Sequence, residues 1–408
     1  MQDKKNSNIK KILVFSWTIV LFSQFLRNGY PEIYFPILLT LFILIIIFIF
    51  NNGFIFGLED YLTISVWIFF FLIIYICSIS FIFSDLKDFL KAFPRIIIMP
   101  LSFIIFLNFA TDKRMFLLLT NILILFSFIA SLSVIYQVYF GPLQFLVDST
   151  MRLGLERYAS TFGSLTIFGG VTGIICMLVL RNNLSFLIKI LLLGLFFIAS
   201  LITLSKAAIL NILLVIIFSI FFVKIRNKII LTLSIIILTT IVYFSFPEIN
   251  EYLNKSYEMI FENNENVSSN ATVKFQIFKR IFEAPIYLSQ FSIINLFFGF
   301  GLIGGQGAFG LPYSFTGTTH NQLADMFLIG GIFLFLNILS ILLCLMIELK
   351  KYKDHDYLAE TFYYCNVIGI INMFFFNGFL FQPITSFVFW VSLVYVFHLK
   401  KLKYEKSL

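Results

Sequence analysis

Charge is what this chain has least of. Only 12% of its 408 residues are Asp, Glu, Lys or Arg, against 60% hydrophobic. A soluble set of two or three domains carries about a quarter charged residues, so that class is excluded. Cysteine is also scarce. Cys77, Cys176, Cys344 and Cys365 each stand alone in an apolar segment, so neither a disulfide framework nor a paired zinc spacing is expected, and small apolar packing explains them. Strand-like alternation is missing from the apolar runs, which sets aside a β-barrel. No small-residue cleavage site follows the first apolar run, which reads on into Gln24, Phe25, Leu26 and Arg27. It is therefore taken as a membrane span rather than a secretory signal.

What the chain does have is apolar runs of roughly 15 to 25 residues, and about 20 helical residues cover the hydrocarbon core of a bilayer. About twelve spans are expected on that criterion, near 12–26, 33–50, 61–83, 93–110, 115–140, 163–180, 184–203, 206–223, 229–246, 320–347, 359–377 and 383–398. The fold class is all-α, a polytopic membrane protein, because helices satisfy their own backbone groups in lipid. Residues 1–408 read as a single integral membrane domain, with a large outer loop over 247–319 between the ninth and tenth spans.

Lys and Arg set the orientation. Lys4, Lys5, Lys10 and Lys11, the short loops at Lys113 and Arg114, Arg181, Lys224 to Lys228 and Lys350 to Lys353, and the terminal Lys400, Lys401, Lys403 and Lys406 fall on one side. That side is the cytoplasm, and both termini lie there. The net charge of +8 would point to nucleic acid in a soluble protein; here it is largely topological signal, and no nucleic-acid partner is expected. The bias is only moderate, so the basic residues left outside need a reason.

Two connections are long, 141–162 and 247–319, and both fall on the outer face. Long connections in a compact fold commonly carry function. The second begins acidic and polar with helical pieces, then resumes helical periodicity over 271–282. A helical wheel places Val273, Ile277, Phe278, Ile281 and Phe282 on one side and Gln276, Lys279, Arg280 and Glu283 on the other. Lys274 falls in the middle of the apolar side, where a lysine either snorkels to the interface or meets an anion.

The same loop ends in GFGLIGGQGAFGLPYSFTGTTHN, residues 299–321. Its first six residues match the dinucleotide-binding GxGxxG, but that fingerprint requires a preceding strand within a βαβ unit. Here it follows an amphipathic helix in an outer loop, so a nucleotide cofactor is rejected and none is expected. The glycines are read instead as a flexible approach to His320 and Asn321, placed at the first turn of an apolar helix. A helix N-terminus disfavours imidazolium and leaves a neutral imidazole able to accept a proton. The plainer reading is that either residue caps the helix.

Arg152, Arg157, Lys206 and Lys274 form four outward cations against the positive-inside trend. An anionic lipid head group is the simplest ligand for such a set, and interfacial anchoring could account for any one of them. No Asp-rich metal motif is visible in the outer loops, and no metal site is expected.

The order of these features resembles the superfamily of O-antigen polymerases and O-antigen ligases, which includes the Wzy-type polysaccharide polymerases. Arg152 with Gly163 resembles the arginine-glycine motif of an outer loop, and Thr203, Leu204, Ser205 and Lys206 resemble Thr-x-Ser-Arg. Lys274 with Phe278 resembles a loop Arg followed four residues on by Trp. Gly299-Phe-Gly301, His320-Asn321 and Gly330-Gly331 resemble the closing pattern. Lysine stands for the usual arginine at 206 and 274, and Ile329 for a frequent acidic residue. The resemblance covers essentially the whole chain. It implies a GT-C-like fold in the bacterial inner membrane and transfer of undecaprenyl-pyrophosphate-linked oligosaccharide, with a chain-length regulator as a further partner. On this reading His320, Arg152 and Lys274 are expected to be catalytic, and Arg157, Lys206, Arg280 and Asn321 to bind substrate. The polymerase is favoured over the ligase by the arginine-glycine match. A flippase or transporter also fits the span count, but the predicted span interiors hold no Asp or Glu of the kind ion-coupled transporters place there.

Overall fold

The computed structural model describes residues 2–52, 61–83, 86–110, 112–146, 149–152, 154–163, 167–221, 228–261, 281–282, 284–286, 288–289, 292–301, 321–374 and 379–407. The fold is all-α, helical over 84%, and the one sheet among the described residues is a two-stranded antiparallel ribbon. In order, the helices are α1 (Gln2–Phe22), α2 (Gln24–Gly29), α3 (Pro31–Asn52), α4 (Tyr61–Phe83), α5 (Leu86–Phe109) and α6 (Lys113–Phe140). After strands β1 (Thr150–Arg152) and β2 (Leu155–Arg157) come α7 (Ile167–Arg181), α8 (Phe186–Ile202), α9 (Lys206–Phe221), α10 (Lys228–Ser245) and α11 (Pro247–Phe261). The chain closes with α12 (Ile293–Phe298), α13 (Gln322–Tyr352), α14 (Tyr357–Asn372) and α15 (Pro383–Ser407).

Among the described residues five helices are long and apolar enough to cross a membrane: Pro31–Phe50, Tyr61–Ile82, Lys113–Phe140, Gln322–Tyr352 and Pro383–Lys403. Shorter apolar helices accompany them, among them Ile167–Arg181 and Phe186–Ile202. The protein is a multi-pass membrane protein. At 1.5 Å per residue the 15 residues of α7 reach only about 22 Å, short of a ~30 Å hydrocarbon core. Its side chains are buried along nearly its whole length, so α7 is sheathed by its neighbours.

Several expected boundaries move. The run expected as one span over 12–26 is broken at Ser23, whose backbone leaves the helical region at φ −78°, ψ 47°, so that α2 starts afresh. The span expected over 93–110 begins earlier, at Leu86, and continues through Pro94 and Pro100. The helical pieces expected at the start of the loop from 247 take the form of the helix α11, which buries Ile249 and Tyr252.

The chain divides into two compact units, Met1–Ile55 with Ile105–Glu262, and Phe56–Ile104 with Asn263–Leu408. In the first, α7 packs on α8 and α9 through small and polar side chains. Gly169 meets Ser205 and Ala208 so closely that a Cβ there would lie 3.0 Å from the Ser205 Cβ. Asn211 Nδ2 donates to the carbonyls of Gly169 (2.8 Å) and Gly170 (3.1 Å), and Thr172 Oγ1 lies 3.0 Å from Ser200 Oγ. Apolar side chains gain little by leaving lipid for a helix interface, so close backbone approach and interhelical hydrogen bonds hold such contacts. Lys189, which falls inside an expected span, donates to the carbonyl of Leu180 at 3.0 Å, at the end of α7.

In the second unit α4 packs along α13, with Asn337 Nδ2 donating to the Ser65 carbonyl at 2.9 Å and Ser65 and Ser340 hydroxyls 3.1 Å apart. An aromatic cluster of Phe69, Phe103 and Trp390 fills the space beside α15, with ring centroids 5.6 to 5.8 Å apart for the pairs with Trp390.

Candidate functional site

In the first unit the site is built on the ribbon. Its register pairs Thr150 with Arg157, Met151 with Glu156 and Arg152 with Leu155. Directly opposed residues share a face and alternate residues change face. Arg152 and Arg157 therefore lie on one face with Thr150 and Leu155, and Glu156 and Met151 lie on the other. Gly154, at φ +78°, supplies the turn between the strands.

The arginine face meets the turn between α8 and α9. Arg152 donates from Nη1 to the Leu204 carbonyl at 2.7 Å, and Arg157 donates from Nε to the Thr203 carbonyl at 2.8 Å. Leu204 has φ 47°, the one positive φ at a non-glycine residue among those described. That bend ends α8 at its cap Thr203 and starts α9 at Lys206. Carbonyls at a helix C-terminus carry partial negative charge and lack intrahelical donors, so arginine is a fitting partner for them. The bend is braced from below by Ser205, packed on Gly169.

These bonds use one of the five N–H donors of each guanidinium. The remaining donors include Arg157 Nη2, which is buried with no hydrogen-bond partner. Among the described residues neither arginine is paired with a carboxylate. Burial lowers the Arg152 guanidinium, and burial together with the neighbouring Arg152 charge lowers Arg157 to about 10. Both are cations at neutral pH. Two half-buried guanidiniums side by side with donors to spare are suited to a polyvalent oxyanion such as a phosphate, two of whose oxygens match the planar guanidinium fork.

Glu156, on the opposite face, is engaged differently. Ser149 Oγ donates to its Oε1, and Tyr158 donates to Oε2 at 3.1 Å. Tyr252, from α11, donates to the Glu156 main-chain carbonyl at 2.5 Å. The first helix of the long connection is thereby fastened to the arginine ribbon.

The structure thus brings together Arg152, Arg157 and the Thr203–Lys206 turn. The side chain of Lys206 lies outside what is described, although its backbone opens α9. Lys274, Phe278, Arg280 and His320 all lie outside the described residues.

Asn321 belongs to the second unit. It is fully buried, and its Oδ1 caps α13 by accepting from Leu323 N (3.0 Å) and Ala324 N (3.1 Å) while Nδ2 donates to the Phe374 carbonyl at 3.3 Å. The helix starts at Gln322, with Asn321 as its cap. The capping role of Asn321, one of the two readings open from sequence, is the one its amide geometry displays.

The glycines at 299 and 301 are not a slack approach. Gly331 breaks α13 at φ 64°, ψ −160°, and a helix interrupted there leaves the carbonyls one turn earlier without their usual donors. Phe300 N donates to Leu328 O at 2.8 Å and Gly301 N to Ile329 O at 2.9 Å. Gly299 and Gly301 sit at φ +72° and +87°, and a Cβ on Gly299 would come within 2.5 Å of Gly330 N. Gly299 and Gly301, the first two glycines of the pattern that resembled a nucleotide loop, splice backbone into a broken helix. Position 329 contributes to this splice through its carbonyl, which any side chain provides.

Sequence reading missed the ribbon, the role of the Thr203 and Leu204 carbonyls, and the attachment of Tyr252. The alternation Met-Arg-Leu-Gly-Leu-Glu-Arg around a central glycine was the available signal for the ribbon. Among the described residues no cluster of His, Cys, Asp and Glu has the form of a metal site. The four cysteines are free, three of them buried. No protein-family model matches the chain, and no curated protein matches it.

Proposed function

We propose that the protein is a polysaccharide polymerase of the bacterial cytoplasmic membrane, joining undecaprenyl-pyrophosphate-linked oligosaccharides on its outer face. The observation that carries this reading is the paired arginine face of the ribbon, which meets no carboxylate among the described residues, with Arg157 Nη2 buried and unpartnered. The motif order that resembles the O-antigen polymerases and ligases supports it, as does the multi-pass architecture. The finer architecture belongs to the same proposal: about twelve spans, a GT-C-like arrangement and both termini in the cytoplasm.

In the proposed reaction an acceptor sugar hydroxyl attacks the anomeric carbon of the donor glycan. The new glycosidic C–O bond forms as the bond to the pyrophosphate oxygen breaks, with inversion at carbon. His320 takes the hydroxyl proton as general base. The pair of electrons leaves with undecaprenyl pyrophosphate, whose growing charge is met by Arg152 and Arg157, with Lys206, Lys274 and Arg280 as further donors to phosphate or sugar. Fixed cations aimed at a developing charge stabilise it without having to reorganise. Asn321 fixes the start of α13. A chain-length regulator would act on the product.

Deletion of the gene tests the class. Loss of a polymerase leaves a single repeat unit on the cell surface, and loss of a ligase leaves none. Complementation with Arg152→Ala or Arg157→Ala should fail to restore the ladder although the protein remains in the membrane.

A further inference from the structure

We propose that Ser149, Tyr158 and Tyr252 are positioning residues for the anion site: they hold Glu156 on the far face of the ribbon and so keep its carboxylate off Arg152 and Arg157. This rests on the reading above that the two arginines hold a pyrophosphate.

Glu156 is the one carboxylate in the ribbon, next to Arg157 in sequence and in register with Met151. A two-stranded ribbon has open edges. Glutamate and arginine side chains are long enough to meet around such an edge, and a carboxylate that did so would form the bidentate pair that a phosphate otherwise takes. Alternation alone aims the Glu156 Cβ away without holding the carboxylate there.

The hydroxyls supply the hold. Ser149 Oγ and Tyr158 OH each donate to one carboxylate oxygen, and the Tyr252 hydroxyl fixes the main-chain carbonyl of the same residue. Tyr158 and Tyr252 are 7% and 6% exposed. Their phenols are pushed up, first by burial and then by hydrogen bonding or charge from their neighbours, so they remain protonated donors throughout the physiological range. Because Tyr252 stands on α11, the beginning of the long connection takes part in keeping the arginine face open.

The experiment uses full-length protein in detergent and inorganic pyrophosphate as the probe, read by the concentration that half-saturates thermal protection and, in parallel, by KM and kcat for elongation. Tyr158→Phe should raise the half-saturating concentration about tenfold, the cost of one competing charged hydrogen bond, and should raise KM more than it lowers kcat. Adding Glu156→Gln to Tyr158→Phe should return the value to within about twofold of wild type, because the two changes act through one pair and are not additive. A purely structural role predicts the double variant to be at least as impaired as the single. That result, or a Tyr158→Phe variant that binds as wild type does, overturns the proposal. If Tyr158→Phe does not accumulate, Ser149→Ala removes one donor from the same carboxylate and takes its place in the cycle. If Arg157→Ala binds pyrophosphate as wild type does, the anion-site reading itself is wrong and the proposal falls with it. If Arg157→Ala loses binding and the rescue fails, only the proposal falls.

Discussion

Arg157 donates from Nε to the carbonyl of Thr203 at 2.8 Å while its Nη2, at the other end of the guanidinium, is buried without a partner. One end of the side chain is fixed by a helix terminus and the other is left with donors that burial makes costly to leave unused. An anion at Nη2 would recover that cost. A half-satisfied arginine held in a single orientation is the arrangement expected of a ligand contact rather than of an interfacial anchor, whose charged head reaches water.

Replacement of Arg157 separates charge from geometry. Arg157→Lys keeps the cation but loses both the Nε bond to Thr203 and the planar fork. Polymer formation should fall by at least about tenfold, the loss of one charged hydrogen bond, with the protein still present in the membrane. The check is the ladder from a complemented deletion strain beside quantitation of membrane protein. Equal loss of both would assign Arg157 to structure alone.

The broken helix predicts a folding defect of its own. A Cβ on Gly331, at φ +64°, would collide with the main-chain carbonyl of Phe297. Gly331→Ala should cost more than the roughly 1–3 kcal/mol of backbone strain alone, because main chain must also move. A lowered melting temperature or reduced accumulation in detergent checks it. Gly154→Ala is the contrast, since a Cβ there meets nothing within 4 Å, and only the strain at φ +78° is added.

Asn321 and His320 should part company. Asn321→Ala removes a helix cap and the bond to Phe374, and should lower stability by about 0.5–2 kcal/mol with elongation reduced in proportion to folded protein. His320→Ala should abolish elongation and leave the melting temperature within error. The two measurements on each variant, thermal unfolding and ladder formation, decide the assignment. A His320→Ala protein that builds a full ladder would remove the general base from the scheme.

Packing under the turn gives a further test. Even a single methyl carbon on Gly169 would lie only 3.0 Å from the Ser205 Cβ, so Gly169→Val should displace the start of α9 and the carbonyls that orient both arginines. Overpacking of this kind costs about 1–3 kcal/mol. Elongation should fall further than the loss of folded protein explains. Activity that merely tracks protein amount would show that the α8 to α9 turn does not set arginine geometry.

Much of the architecture was legible because composition and run length dominate in lipid. The span expected over 61–83 coincides with Tyr61–Phe83, and the one expected over 115–140 differs from Lys113–Phe140 only at its start, where Asp112 caps the helix. Ser23 broke an apolar run that hydropathy reads as continuous, because a single backbone torsion leaves no trace in hydrophobicity. The Arg152, Arg157 and Thr203 to Lys206 motifs were recognisable as separate segments. Their junction was not, because it is made by main-chain carbonyls, which every residue carries. The glycines at 299, 301 and 331 were visible, but their purpose depends on hydrogen bonds from Phe300 to Leu328 and from Gly301 to Ile329, a separation in the chain that local pattern cannot supply.

The most direct measurement places purified protein in vesicles with undecaprenyl-pyrophosphate-linked oligosaccharide on the face bearing the arginine ribbon, and analyses the glycans by length. The account predicts a ladder of lengthened glycans that disappears with Arg157→Ala and with His320→Ala. Movement of the glycan lipid across the bilayer without lengthening, or a ladder unchanged by Arg157→Ala, would contradict it.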